Sequence, residues 1–193
     1  MYRALVIFGP PGSGKGTMGK VICELGKIFH LSSGDMFRGM NPHTELGQEV
    51  SAILRSGKLV SDDLTIRLLK AHIEASVGAG KYREGDWMLL DGVPRTVPQV
   101  ALLRDLVKVS WIINLEVPNN EVLINRIMGR AKIEGRADDI DPEVLRERFR
   151  IYETETALVL KEYPQNQIIT INADQTPLMV MRDILNQIAI KLL

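Results

Sequence analysis

A single cysteine, Cys23, stands in a chain of 193 residues. It allows neither an internal disulfide nor a thiolate-built zinc cluster, and such a composition suits a reducing compartment. An excess of either charge is also missing: 24 Lys+Arg face 24 Asp+Glu, a formal net charge of zero with neutral histidines. That argues against a protein that coats nucleic acid through bulk positive charge. Long hydrophobic runs are absent as well. The longest, Ala4 to Phe8, has five residues, short of the ~7–15 of a signal-peptide core and the ~20 of a bilayer span. The expectation is a cytoplasmic protein with no membrane and no nucleic acid among its partners. Internal repeats and low-complexity segments are lacking too.

What is present is ordinary for a folded chain: 45% hydrophobic and 25% charged residues. At roughly 150 residues per domain the length fits one domain with an inserted excursion. Tyr2 to Phe8 is β-rich and stops at Gly9-Pro10-Pro11-Gly12, which marks a turn. Met18, Val21, Ile22, Leu25 and Phe29 then recur at helical spacing, in a helix predicted to start near Gly14. Trp87 to Leu90, Trp111 to Leu115 and Ile168 to Ile171 read as further buried strands. Between them lie helical patterns, including Val100/Leu103/Leu106/Val107 and a long stripe at Leu145, Phe149, Tyr152, Thr156, Val159 and Leu160. Such alternation predicts an α/β fold whose parallel sheet is covered on both faces, with the ligand at the carboxyl ends of its strands.

Ser32 to Ser61, with a small helix at Leu46, Val50, Ile53 and Leu54, and Arg130 to Asp141, polar and without period, fit that core poorly. Both are assigned as excursions. The expected division is a core of 1–31, 62–129 and 142–193, an excursion over 32–61 and another over 130–141. The excursions look poor in apolar residues, and their arginines are expected to lack anionic partners until a ligand arrives.

The chemistry is concentrated in Gly9-Pro10-Pro11-Gly12-Ser13-Gly14-Lys15-Gly16-Thr17, between the first strand and first helix. A polyphosphate needs several backbone N–H groups turned inward beside a positive helix end, which a glycine-rich loop provides. Lys15 adds charge at the β/γ-phosphates and Thr17 a hydroxyl near a metal. Asp91 ends the apolar strand at Trp87. Alone, such a residue is more often a helix cap or turn former, but beside such a loop it could hold magnesium through water. Arg126 and Arg130 sit one helical turn apart, which costs about 0.2–0.5 kcal/mol unless an anion lies between them. Arg148 sits at the margin of its apolar stripe. His30 reads as a satisfied strand-end histidine, and Cys23, between Ile22 and Leu25, as packing.

Taken together, these residues resemble the nucleoside monophosphate kinases, and the adenylate kinases in particular. Six blocks occur in the family's order. After the phosphate loop come His30-Leu31-Ser32-Ser33-Gly34-Asp35-Met36-Phe37-Arg38 and Gly57-Lys58-Leu59-Val60. Asp91-Gly92-Val93-Pro94-Arg95-Thr96 with Gln99, Arg126-Ile127-Met128-Gly129-Arg130, and Gly135-Arg136-Ala137-Asp138-Asp139 with Arg148 complete the series. The resemblance implies a three-layer P-loop fold with a five-stranded parallel sheet, a monophosphate-binding excursion over 32–61 and a short lid over 130–141. Zinc is not implied, and a monomer is expected.

The same resemblance implies that Gly12, Ser13, Gly14, Lys15, Gly16 and Thr17 hold the ATP phosphates, with Arg126, Arg130 and Gln175 also on the ATP side. Ser33, Arg38, Lys58, Leu59, Val60, Gly92, Val93, Pro94, Arg95 and Gln99 would hold AMP. Arg136 and Arg148 would bridge the two phosphate chains, and Thr17 and Asp91 would serve Mg2+. Lys15, Arg95, Arg130, Arg136 and Arg148 would be the catalytic cations. The implied reaction is phosphoryl transfer from Mg-ATP to AMP, giving two ADP. Val93 stands where the family usually has phenylalanine and Ser33 where adenylate kinases usually have threonine. A UMP/CMP kinase of the same fold is the near alternative. Gln99 argues against it, since an amide can pair with the donor–acceptor edge of adenine. A non-catalytic nucleotide-binding switch is the alternative of a different class. The lid arginines and the absence of an Asn-Lys-x-Asp segment argue against that one.

Overall fold

Strands that are apolar on both faces must lie inside a sheet covered on both sides. Alternate residues of the first strand, β1 (Tyr2–Phe8), divide in this way: Leu5 and Ile7 point to one side, Ala4, Val6 and Phe8 to the other. The structure, a computed structural model, describes residues 1–83, 85–134 and 139–192. After β1 come α1 (Lys15–Gly26), β2 (Phe29–Ser32), α2 (Ser33–Arg38), α3 (Glu45–Arg55) and α4 (Asp62–Gly78). Next are β3 (Trp87–Asp91), α5 (Val97–Leu103), β4 (Val107–Glu116), α6 (Asn120–Glu134) and α7 (Pro142–Thr154). Two 3-10 segments, Thr156–Glu162 and Gln165–Gln167, lead to β5 (Ile168–Asn172) and α8 (Pro177–Leu192).

All five strands are parallel, in the order β2-β3-β1-β4-β5. The chain leaves β1 toward one side of the sheet and crosses to the other after β3. The carboxyl ends of β1 and β3 therefore lie at the reversal of strand order, where α/β sheets take their ligands. In register, Ile7 of β1 pairs Asp91 of β3, and Ser32 of β2 pairs the same Asp91. One face of the sheet packs on Met18, Ile22 and Cys23 of α1, Leu123 of α6 and Ile184 of α8. The other packs on Leu69 and Ile73 of α4 and Val100 and Leu103 of α5. No helix among the described residues is long and apolar enough to cross a membrane.

Several sequence expectations change at element ends. Phe29, placed on the first helix by its spacing, begins β2, because α1 stops at Gly26 and Lys27 turns left-handed at φ 51°. Val107 likewise begins β4. The stripe from Leu145 to Leu160 is two elements, α7 and a 3-10 segment, broken at Glu155. Helix α6 runs to Glu134, so the segment expected to be aperiodic from Arg130 starts inside a helix. The excursion over 32–61 is not poor in apolar residues. Phe37, Val50 and Val60 form a cluster with Leu64 of α4, joined by Met36, Leu46, Ile53 and Leu54. This third core is separate from both faces of the sheet.

Cys23 packs as expected, at 7% exposure. Burial, with Asp91 adding to it, pushes the thiol up to about 12. A thiol reagent at pH 8 should thus leave the native protein almost unmodified and titrate one thiol after denaturation. Fast reaction of the native chain would refute this packing.

Candidate active site

The phosphate loop leaves β1 through glycines that no other residue could replace without rebuilding the loop. Gly9 has φ 146°, and a Cβ there would stand 2.6 Å from Ser13 Oγ and 2.7 Å from the Leu115 carbonyl. Gly12 has φ 82°, and its Cβ would meet the Leu123 carbonyl at 2.6 Å. The loop is thus pressed between β4 and α6, with its backbone aimed into the cleft. Helix α1 starts with no side-chain cap and no acid in its first turn. Its first N–H groups and the positive end of its dipole remain available to an anion. Ser13 Oγ is buried without a hydrogen-bond partner among the described residues.

Lys15 folds back over this loop and donates to the carbonyls of Gly9 at 2.6 Å and Pro10 at 2.8 Å. Burial lowers its pKa from 10.5 to about 7, against the attraction of Asp91 and helped by Arg95, Arg148 and Arg130. Its charge is therefore costly until an anion enters. Asp91, at 8% exposure, closes β3 beside the loop, with His30 Nε2 3.8 Å from its Oδ2. That histidine is not the satisfied residue expected: Nε2 is buried without a hydrogen-bond partner among the described residues.

The arginines converge from three elements. Arg95, in the turn after β3, donates from Nε to the Gly92 carbonyl at 2.8 Å. Burial, then the neighbouring Arg148, brings its pKa from 12.5 down to about 10. From α6, Arg130 grips Asp139 with Nε at 2.7 Å and Nη2 at 2.9 Å. From α7, Arg148 donates Nη1 to the same Asp139 at 2.6 Å. Asp139 itself is fully buried. Arg38 pairs with Asp35 at 2.6 Å. The expectation that these cations lack anionic partners is thus overturned: carboxylates already hold Arg38, Arg130 and Arg148. Arg126 is kept from Arg130 differently, donating to the carbonyls of Ala173 at 2.9 Å and Gln175 at 3.3 Å.

One cleft of about 760 Å³ gathers most of these residues. The whole loop from Gly12 to Thr17 lines it, as do Arg126, Arg130 and Gln175. Arg38, Leu59 and the run Asp91 to Arg95 line it from the other end, and Arg148 joins them. Lys58, Val60 and Gln99 line instead a smaller adjoining cavity of about 60 Å³, which Arg38, Leu59, Gly92, Arg95 and Arg148 share. Ser33 lines neither but donates its hydroxyl to the Gly92 carbonyl at 2.8 Å. Arg136 lies outside the described residues.

A phosphate loop facing a set of convergent arginines across one cleft is what a transfer between two phosphate chains requires. The adenylate kinase family model matches residues 7–168. The chain belongs to the adenylate kinase family. It is 38% identical over 179 residues to the adenylate kinase of Corynebacterium diphtheriae, covering 88% of this chain and 90% of that one. The adenylate kinase of a Cyanothece species is 41% identical over 178 residues, covering 89% and 87%. That of Treponema denticola is 35% identical over 199 residues, covering 89% and 91%. Neither the pyrimidine nor the non-catalytic alternative gains support from these relatives. As a member of this family the chain is a nucleoside monophosphate kinase, a phosphotransferase.

The adenylate kinase family generally uses Mg-ATP, and the residues of this chain fit that ion. No group of three or more His, Cys, Asp or Glu able to cage a metal occurs among the described residues. Magnesium that arrives on phosphates needs only one or two protein oxygens and keeps several waters. Asp91 Oδ2 lies 3.7 Å from where a Cβ on Gly16 would stand, so its carboxylate faces the phosphate loop. Thr17 sits on the same rim, exposed to the cleft.

Two carboxylates of this kinase escaped sequence reasoning. Asp139 stands in the last of the six sequence blocks, where the resemblance implies no role for it, although an acid in a segment rich in arginine is the available signal. Asp62, the first residue of α4, accepts at Oδ1 from the Thr96 hydroxyl at 2.8 Å and the Gln99 amide at 2.9 Å. Nothing in the sequence pointed to it, because 37 residues separate it from Gln99.

Proposed function

We propose that this enzyme moves the terminal phosphoryl group of Mg-ATP to AMP, giving two ADP, with the donor on the phosphate loop and the acceptor against Arg38, Arg95 and Gln99. The observation that carries the reading is the single cleft of about 760 Å³ with a phosphate loop at one end and Arg38 and Arg95 at the other. Its size falls within the ~300–1,000 Å³ of ligand sites. An AMP phosphate oxygen is already anionic near neutral pH, so no general base is required. The protein must supply alignment and positive charge.

Within this reading the loop amides and Lys15 hold the β- and γ-phosphates. Arg130 and Arg148, presented together by Asp139, face the phosphoryl group in transit, and Arg95 holds the acceptor phosphate. Asp91 and Thr17 would hold the ion, which supplies charge neutralisation across the donor phosphates. Arg136 is assigned to the same cluster by family resemblance alone. The 32–61 segment is taken as the acceptor-binding excursion and 130–141 as the lid. The cavity beside Gln99, at about 60 Å³, is well below the size of a nucleotide site. The excursion therefore has to move outward for a base to enter. It rests on α7 in this structure, where a Cβ on Gly57 would stand 2.9 Å from the Val144 carbonyl.

A coupled assay offering AMP, CMP, UMP and GMP with Mg-ATP tests the assignment. AMP should give the highest kcat/KM. A higher value for CMP or UMP would overturn it.

A further inference from the structure

Resting on the reading of AMP as acceptor, we infer that Asp62 is a positioning residue that fixes which end of the Gln99 amide meets the acceptor base, and so makes the pocket favour a 6-amino over a 6-oxo purine. Gln99 is buried, at 2% exposure, and its amide is held at both ends. Oε1 accepts from the Arg95 backbone N–H at 2.7 Å, and Nε2 donates to Asp62 Oδ1 at 2.9 Å. The orientation follows from chemistry. A backbone N–H can face only the oxygen, and a carboxylate can face only the N–H group. The Thr96 hydroxyl completes the frame, donating to Asp62 Oδ1 at 2.8 Å and accepting from the Gln99 backbone N–H at 3.3 Å.

Each end of the amide then keeps one valence, an N–H on Nε2 and a lone pair on Oε1. These are what Gln99 can offer to the small cavity it lines. Adenine accepts at N1 and donates from its 6-amino group, so it matches this pair. Hypoxanthine and guanine donate at N1 and accept at O6, so they match only the flipped amide. An unrestrained glutamine could serve either base by turning about its last bond. Here the flip would set Nε2 against the Arg95 N–H and Oε1 against the Asp62 carboxylate. Selectivity among purines then depends on a residue that need not touch the base.

The test compares kcat/KM for AMP and for inosine monophosphate in the full chain. Asp62→Ala should cut the AMP preference about tenfold, the equivalent of one hydrogen bond to a charged group, and act mainly through KM for AMP. Asp62→Asn should keep most of the preference, because both bonds go to one oxygen that an amide can reproduce. Asp63→Ala removes a neighbouring exposed acid from the same first turn and should leave the ratio unchanged. In a Gln99→Ala background, Asp62→Ala should change the ratio no further. Should Asp62→Ala fail to fold, Asp62→Ser keeps a polar first turn but is too short to hold the amide. An unaltered ratio in Asp62→Ala or Asp62→Ser, an equal loss in Asp62→Asn, or a further loss without Gln99 would each overturn the role of Asp62 while leaving AMP as acceptor. A wild-type enzyme that uses inosine monophosphate as well as AMP would overturn the selectivity assigned to the held amide, whereas one that turns over neither purine would overturn the acceptor reading itself.

Discussion

Lys15→Met should lower kcat by at least about 10²-fold, the usual scale for loss of one preorganised charge at a developing anion, without lowering the melting temperature. The two halves of this result have one cause. Burial of the lysine in the phosphate loop, with Asp91 only partly compensating, depresses its pKa from 10.5 to about 7. Between those values the unfolded chain binds a proton that the native chain does not. The lysine's contribution to stability therefore rises with pH across that window, and its cost is complete below about pH 7. Methionine has similar length and no charge to bury, so the mutant's advantage should be greatest at or below neutral pH and fade toward pH 10. Of the two carbonyls that lose their donor, that of Gly9 lies on the lining of the cleft and that of Pro10 belongs to a half-buried residue, so both stay within reach of water. Calorimetry at pH 6.5 and 9.5, beside the steady-state assay, checks both halves. Near-normal turnover would remove Lys15 from the mechanism, and a mutant of lower stability at pH 6.5 would contradict the burial argument.

The sheet was legible because strand and helix patterns in this chain have different periods and because four strands each carry a short run of consecutive apolar residues. β2 was not. Its four residues, Phe29–Ser32, contain two polar side chains, and Phe29 falls on the helical spacing of α1. Only the left-handed turn at Lys27 separates them, and lysine does not announce such a turn as glycine would. The phosphate loop could be read in advance because its chemistry is local: nine consecutive residues carry glycines, lysine and threonine in order. The arginine cluster is not local. Arg95, Arg130 and Arg148 come from three elements, and their spacing said nothing about what neutralises them. Long-range pairs such as Asp62 with Gln99, or the contact of Gly57 with α7, exist only once the excursion has folded back. The excursion's own core shows the same limit. Phe37, Val50, Val60 and Leu64 come from separate short segments and look scattered until they meet.

Asp139→Asn should cost both turnover and stability, and the added ligand should separate the two effects. Among the described residues, the carboxylate takes three hydrogen bonds from two guanidiniums, with Oδ1 shared between Arg130 and Arg148. An asparagine can keep Oδ1 but turns Oδ2 into a donor that faces Arg130 Nε. It also leaves two cations side by side without their common anion. Losing one charge-assisted bond at a buried carboxylate costs about 2 kcal/mol, or about 4–8 °C in melting temperature for a chain of this length. The guanidiniums should then spread apart, misplacing the charge that the phosphoryl group meets, and kcat should fall about 10- to 100-fold. A bisubstrate mimic, two adenosines joined by five phosphates, brings its own negative charge between the same arginines. Its binding raises stability as RT ln(1 + [L]/Kd). The gap in melting temperature between mutant and wild type should therefore narrow when the mimic saturates both. A purely structural aspartate would leave that gap unchanged, because nothing in the ligand would replace it. An unchanged gap, or a mutant with wild-type kcat, would mean that Asp139 holds the fold together without presenting the arginines to substrate.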